Sequence, residues 1–297
     1  MGNLRGATLM VLAMAGFAIE DMFIKFAARD VPSGQVLVMA GLGGAAIYGL
    51  WALIRGEAPV TAAMFRGASG LRALFEGIAG TAFVTALALV PLSLVTTIMQ
   101  TSPLLVTLGA AVFLSEPVGP RRWSAIVVGL FGVMIVIQPW GTGFEPSALF
   151  AVVGVLAMAA RDLATRAVPQ SISTVQLSTL GFAAIIPGGA LSLLLTDTQM
   201  VWPTTAAWWN IAGLLGIGIP ALYAVIAAMR VGEVSFVAPF RYSRIVFGLA
   251  IGVVVFGETL GTNTLIGAAI VVCAGTYTFL REAQLRKRPS PILNGTL

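Results

Sequence analysis

Histidine is absent from all 297 residues, cysteine occurs once, and Asp, Glu, Lys and Arg together make up only 10% of the chain. Each shortage closes off a kind of chemistry. Without histidine there is no side chain that ordinarily changes charge near neutral pH, so any coupled proton falls to a carboxylate. A lone Cys273 in an apolar run supplies neither a disulfide nor a set of thiolate ligands. No nucleophile–base pair, metal-ligand cluster or phosphate loop is visible. Gly213, Gly216 and Gly218 resemble a dinucleotide loop only in spacing, since no strand precedes them. The sequence therefore predicts no enzyme, no metal and no cofactor.

What is there in excess is apolar surface. The chain is 58% hydrophobic with a mean hydropathy of +0.96, more than a water-soluble core can hide. The net charge of +5 does not argue for nucleic acid, because the basic residues cluster in short connections between apolar runs. Lipid is the expected partner of most of the surface. A span needs about 20 apolar residues, and ten such runs are predicted: 6–28, 32–54, 68–90, 92–114, 122–139, 146–168, 174–196, 205–229, 233–256 and 262–281. Ala13-Met14-Ala15 mimics a signal cleavage site, but the apolar run continues through it, so no cleavable leader is expected. With ten spans both termini share one side. That side carries Arg5, Arg55, Arg66, Arg121, Arg122, Arg230, Arg281, Arg286, Lys287 and Arg288, against Arg29 alone opposite. The bias predicts cytoplasmic termini and a solvated tail over 282–297.

The stretch Ser93–Gly119 recurs in degraded form at Ser235–Gly261. A shift of 142 carries Ser93 onto Ser235, Val95 onto Val237, Glu116 onto Glu258 and Gly119 onto Gly261. At a shift of 141, Asp21, Lys25 and Gln35 fall on Asp162, Arg166 and Gln176. Each copy of the stretch has a mid-span proline, Pro103 and Pro239, although these two do not coincide in register. The expected architecture is all-α: ten membrane helices in two inverted five-helix repeats, 1–140 and 141–281. Five is odd, so the halves run in opposite senses, and paired interrupted helices point to a solute site at mid-membrane. Pro103 and Pro239 are then hinge candidates.

The two Glu-bearing helix ends, Leu114-Ser115-Glu116-Pro117 and Phe256-Gly257-Glu258-Thr259, are each followed by a glycine-spaced helix, Gly129–Gly132 and Gly267–Gly275. With the five-plus-five plan, these features resemble the EamA family of the drug/metabolite transporter superfamily, and within it the YddG-like amino-acid exporters of bacteria. That resemblance implies a monomeric inner-membrane carrier moving aromatic and other neutral amino acids outward. Other cargoes (cationic drugs, purines, nucleotide sugars) are the nearest alternative; a membrane sensor or an intramembrane enzyme is the alternative from another class.

Charges inside the membrane are costly unless paired or wetted, so they are functional candidates. Asp21 and Lys25 lie four apart and can pair on one face; Glu20 points about 100° away without a local partner. Arg72 and Glu76 repeat the spacing, with Glu76 the deeper of the two. Arg161, Asp162 and Arg166 are expected to brace the inner end. Arg241 and Arg244 lie deep in the ninth span, where one of them can bind a substrate carboxylate or pair with an acid across the bundle. The substrate-binding candidates are Phe17, Glu20, Glu76, Phe83, Gln100, Thr101, Tyr223, Phe240 and Arg244. The structural or gating candidates are Asp21, Lys25, Pro103, Asp162, Arg166, Pro239 and Arg241.

Overall fold

Several helices begin where their sequence caps them. Ser173 accepts from the amide of Gln176 at 3.2 Å while the Gln176 side chain returns to the Ser173 amide at 3.0 Å, a reciprocal cap at the start of the seventh span. Thr204 accepts from the amide of Ala207 at 3.0 Å and starts the eighth. Pro32 and Pro91 stand just before helices, and Pro120 is the first residue of another, where the missing N–H costs nothing.

The computed structural model describes residues 2–116, 118–141 and 144–286. Helices cover α1 (Gly2–Asp30), α2 (Ser33–Ile54), α3 (Gly67–Leu89), α4 (Leu92–Met99), α5 (Ser102–Phe113), α6 (Pro120–Ile137), α7 (Ala148–Arg166), α8 (Thr174–Leu195), α9 (Thr205–Val231), α10 (Val234–Val237), α11 (Ser243–Phe256) and α12 (Thr262–Arg286). Among the described residues these make 10 spans long and apolar enough to cross a bilayer. The fourth and ninth are each interrupted. α4 and α5 meet at Gln100–Thr101, with Pro103 in the first turn of α5; α10 and α11 are joined by a 3₁₀ segment, Ala238–Tyr242, that contains Pro239. The prolines differ in register, but the breaks fall at matching places, since a shift of 142 takes Gln100 to Tyr242.

Packing follows the inverted repeat. α1 packs on α9 and α3 on α7, two contacts that exchange when the halves are exchanged. α2 on α8 and α6 on α12 each map onto themselves, whereas α4 on α11 joins the first half of one interrupted span to the second half of the other. Glycines permit the closest of these contacts: a Cβ at Gly189 would lie 2.5 Å from the carbonyl oxygen of Gly34, and one at Gly267 2.5 Å from that of Gly132. Gly248 and Gly252, spaced as GxxxG, let α11 close on Thr96 and Ser93 of α4. Large apolar side chains such as Leu53, Ile54 and Val254 point outward, as a lipid-facing surface requires, and Trp202 is 90% exposed near a helix end.

α12 runs to Arg286, into the stretch expected to be tail. Lys287, Arg288 and the rest of that tail lie outside the described residues, as do Pro117 of the helix-ending turn and Thr142 and Gly143 between the halves.

Candidate functional site

Most intramembrane charges are matched with one another, and mostly across helices. Asp21 on α1 is 1% exposed and takes a fork from Arg244 on α11, with Nη2 at 2.7 and 2.8 Å from the two carboxylate oxygens and Nε at 3.2 Å. Phe17, one turn before Asp21, lies against the guanidinium, 5.1 Å from ring centroid to Cζ. The expected Asp21–Lys25 pair does not form. Lys25 instead donates to the carbonyl oxygens of Leu87 at 3.0 Å and Val90 at 2.6 Å, at the end of α3. Carbonyls left unpaired at a helix C-terminus attract a cation, and this outweighs a same-helix partner already held by Arg244.

A second cluster joins α3, α7 and α8. Glu76 sits between Arg161 at 2.9 Å and Arg72 at 3.4 Å, so the expected Arg72–Glu76 contact is present. Arg161 also holds Asp162 at 2.8 Å. Arg72 reaches Thr165 Oγ1 at 3.1 Å and the Leu177 carbonyl at 3.2 Å. Two arginines face two carboxylates, so the cluster is neutral and its desolvation is offset by mutual pairing.

Between these clusters lies a cavity of about 350 Å³, within the range of small-metabolite sites. Its walls come from α1, α2, α3, α7, α8 and α9, and it extends from mid-membrane Glu20 to Arg72 and Thr165 near the face that carries the chain ends. Phe17, Tyr48 and Phe182 supply aromatic surface, with Tyr48 stacked on Phe182 at 5.7 Å between centroids. Glu20 faces Gly218 of α9, where a Cβ would come within 2.5 Å of the carboxylate and displace it from its present position. Among the described residues Glu20 has no hydrogen bond or ion pair. The arrangement therefore offers a bound solute one uncommitted carboxylate beside flat apolar walls.

Of the substrate candidates, the structure brings together Phe17, Glu20 and Glu76 in this wall, and Asp162 joins them although expected only to brace. Arg244 is committed to Asp21. Arg241, expected to be structural, is exposed on the 3₁₀ segment and its guanidinium makes no hydrogen bond or ion pair among the described residues. Gln100 spends its amide on the Arg241 carbonyl at 2.7 Å, and Thr101 is buried with its hydroxyl on the Ile98 carbonyl at 2.6 Å. Phe83 packs against the main core, Phe240 lies tilted on Phe236, and Tyr223 is 65% exposed; none of the three lines the cavity. Arg166 pairs with Glu116 at 2.8 Å rather than facing solute. Sequence reasoning missed Tyr48, Phe182 and Gly218. The glycine was visible only as part of a run spaced like a dinucleotide loop, and nothing in either aromatic's local pattern separates a cavity wall from a lipid face.

Comparison with known proteins agrees with this architecture. Residues 4–138 match the model of the EamA-like transporter family. A riboflavin transporter of Rhizobium johnstonii is 30% identical over 70% of this chain and 68% of its own length. An S-adenosylmethionine uptake transporter of Rickettsia felis is 24% identical over 73% of each chain. A pseudopaline exporter of Pseudomonas aeruginosa is 26% identical over 91% of this chain and 94% of its own. One crystal structure superposes with a TM-score of 0.57 over 93% of this chain and 97% of the other, at 20% identity, which speaks to fold alone. These relatives carry different cargoes in different directions, so the narrower likeness to amino-acid exporters is not carried by them. Ten apolar spans, an internal solute-sized cavity and these relatives place the chain in the EamA-like transporter family of the drug/metabolite transporter superfamily, as a multi-pass membrane transporter.

Proposed function

We propose that this carrier exports small amphipathic metabolites that bear an amine, amino acids with aromatic or other neutral side chains first among them, by alternating access across a bacterial inner membrane with its termini in the cytoplasm. The observation that carries the reading is Glu20: an unpaired carboxylate beside Phe17, in a cavity whose other charges neutralise one another. A carboxyl group without a hydrogen-bond partner among the described residues favours an amine on its ligand, which can donate to it. Arg241, within electrostatic reach of Asp162 and Arg161, supplies the matching cation for a cargo carboxylate. Excess cytosolic cargo drives export down its own gradient; proton antiport through Glu20 or Glu76 is the coupled alternative.

A second reading, a flat heteroaromatic cargo, is favoured by the stacked Tyr48 and Phe182 and by relatives named for riboflavin and S-adenosylmethionine. Counterflow in proteoliposomes separates the two. Labelled phenylalanine should exchange and be competed by other neutral amino acids, with Glu20→Gln and Arg241→Gln each lowering the exchange about ten-fold or more, the loss expected for one charge-assisted contact. Exchange of riboflavin or S-adenosylmethionine without exchange of phenylalanine selects the second reading. A pH gradient that accelerates exchange selects proton coupling.

A further inference from the structure

The two ends of the carrier are built alike but used differently in this conformation. On the face opposite the chain ends, the corner between α3 and α4 is held by two side chains of opposite charge. Lys25 takes the carbonyls of Leu87 and Val90, at 3.0 and 2.6 Å, and the Glu258 carboxylate accepts from the amides of Leu92 and Ser93, at 2.5 and 3.0 Å. The cation sits on the C-terminus of one helix and the anion on the N-terminus of the next, each where the unpaired backbone groups want it.

The repeat supplies the same parts on the other face. A shift of 142 carries the corner 90–93 onto 232–235 and Glu258 onto Glu116 in reverse, and a shift of 141 carries Lys25 onto Arg166. The backbone agrees with the alignment. Ser115 and Gly257 both take a left-handed conformation, φ 53° and 66°, at equivalent positions. The next amides, of Glu116 and Glu258, reach back to Ala110 at 3.2 Å and Gly252 at 2.9 Å, again equivalent residues. Glu116 is thus presented by the same turn that presents Glu258. Yet Glu116 and Arg166 hold each other at 2.8 Å, each side chain 48% exposed, and the amide of Glu233 at their corner takes Asn3 Oδ1 at 2.8 Å. An ion pair this exposed contributes under about 1 kcal/mol, so exchanging it for other partners costs little.

We propose that Glu116 and Arg166 are the resting half of a reciprocal latch. When the face bearing the chain ends closes, Glu116 accepts from the Val234 and Ser235 amides and Arg166 donates to the carbonyls of Met229 and Gly232, while Glu258 and Lys25 leave their corner and pair with each other. The inference rests on the carrier reading, because it needs two conformations related by exchange of the halves.

The test uses the full-length protein in nanodiscs, with Cys273→Ala and a Val90→Cys reporter at the closed corner, where Val90 is 1% exposed. The readout is the rate of labelling by a polar maleimide. Glu258→Gln should raise the rate and Glu116→Gln should lower it, each about ten-fold, the population shift expected when one conformation loses charge-assisted hydrogen bonds. The charge swap Glu116→Arg with Arg166→Glu keeps a pair between these positions but turns the wrong charges toward the corner, so it should lower labelling as Glu116→Gln does. A swap that labels like the unsubstituted protein shows a surface ion pair only and overturns the latch. Should Glu258→Gln fail to fold, the Glu116→Gln and swap arms decide alone, since both alter exposed side chains. Labelling that follows the expected order while no amino acid undergoes counterflow upholds the latch and overturns the cargo reading instead.

Discussion

Neighbouring carboxylates on α1 have opposite duties, and their variants should separate them. Asp21 neutralises a deep guanidinium through a three-contact fork. Asp21→Asn strands Arg244, and breaking one side of a buried pair costs about 3–5 kcal/mol, so a large fall in thermal midpoint is expected, with partial recovery in Asp21→Leu combined with Arg244→Met. Glu20 lines the cavity and makes no hydrogen bond or ion pair among the described residues. Glu20→Gln should leave the midpoint within about 0.5 kcal/mol of the parent while lowering cargo exchange. Thermal unfolding of the purified variants by scanning fluorimetry checks both. The charged residues that matter were legible in the sequence because the bilayer makes each an exception. Their partners were not. Spacing within one helix suggested Asp21 with Lys25, whereas Lys25 bonds residues 62 and 65 positions away and Asp21 a residue 223 away. Only the tertiary fold brings those together.

Element packing turns on which glycines face a neighbour. A methyl at Gly189 meets the Gly34 carbonyl on the facing helix, while a methyl at Gly216 meets nothing within 4 Å. Gly189→Ala should therefore lose about 1–3 kcal/mol by pushing α8 off α2, and Gly216→Ala should be neutral or gain up to about 1 kcal/mol from helix propensity. Denaturation in mild detergent, followed by α-helical signal, distinguishes the pair. The second and seventh spans are rich in glycine, but sequence could not rank single glycines, since composition does not tell a contact face from a lipid face. The same blindness explains the fourth span, read as one helix over 92–114. A proline announces a bend, but whether the chain rejoins as α-helix or as 3₁₀ turn depends on what the freed backbone groups meet.

At the scale of the whole molecule, the inverted plan was the most legible feature, because it is written twice. Repeat offsets are preserved even where side chains have diverged, and an odd number of spans leaves one geometric outcome. The cavity was less legible, since its wall is assembled from six helices and no short stretch of sequence contains it. Orientation rests on charge, with Arg55, Arg66, Arg121 and Arg122 on the face of the chain ends and Arg29 on the other. Single cysteines in a Cys273→Ala background test it: Glu145→Cys lies in the connection between the halves, and Ser115→Cys at the end of α5. In intact cells an impermeant maleimide should label Glu145→Cys at once and Ser115→Cys only after permeabilisation. The opposite order would place the termini outside and, with them, the open mouth of the cavity, turning the proposed exporter's present conformation into one that faces away from the cytosol. Labelling of both sites in intact cells would contradict the odd span count per half, because the ends of a span cannot share a face.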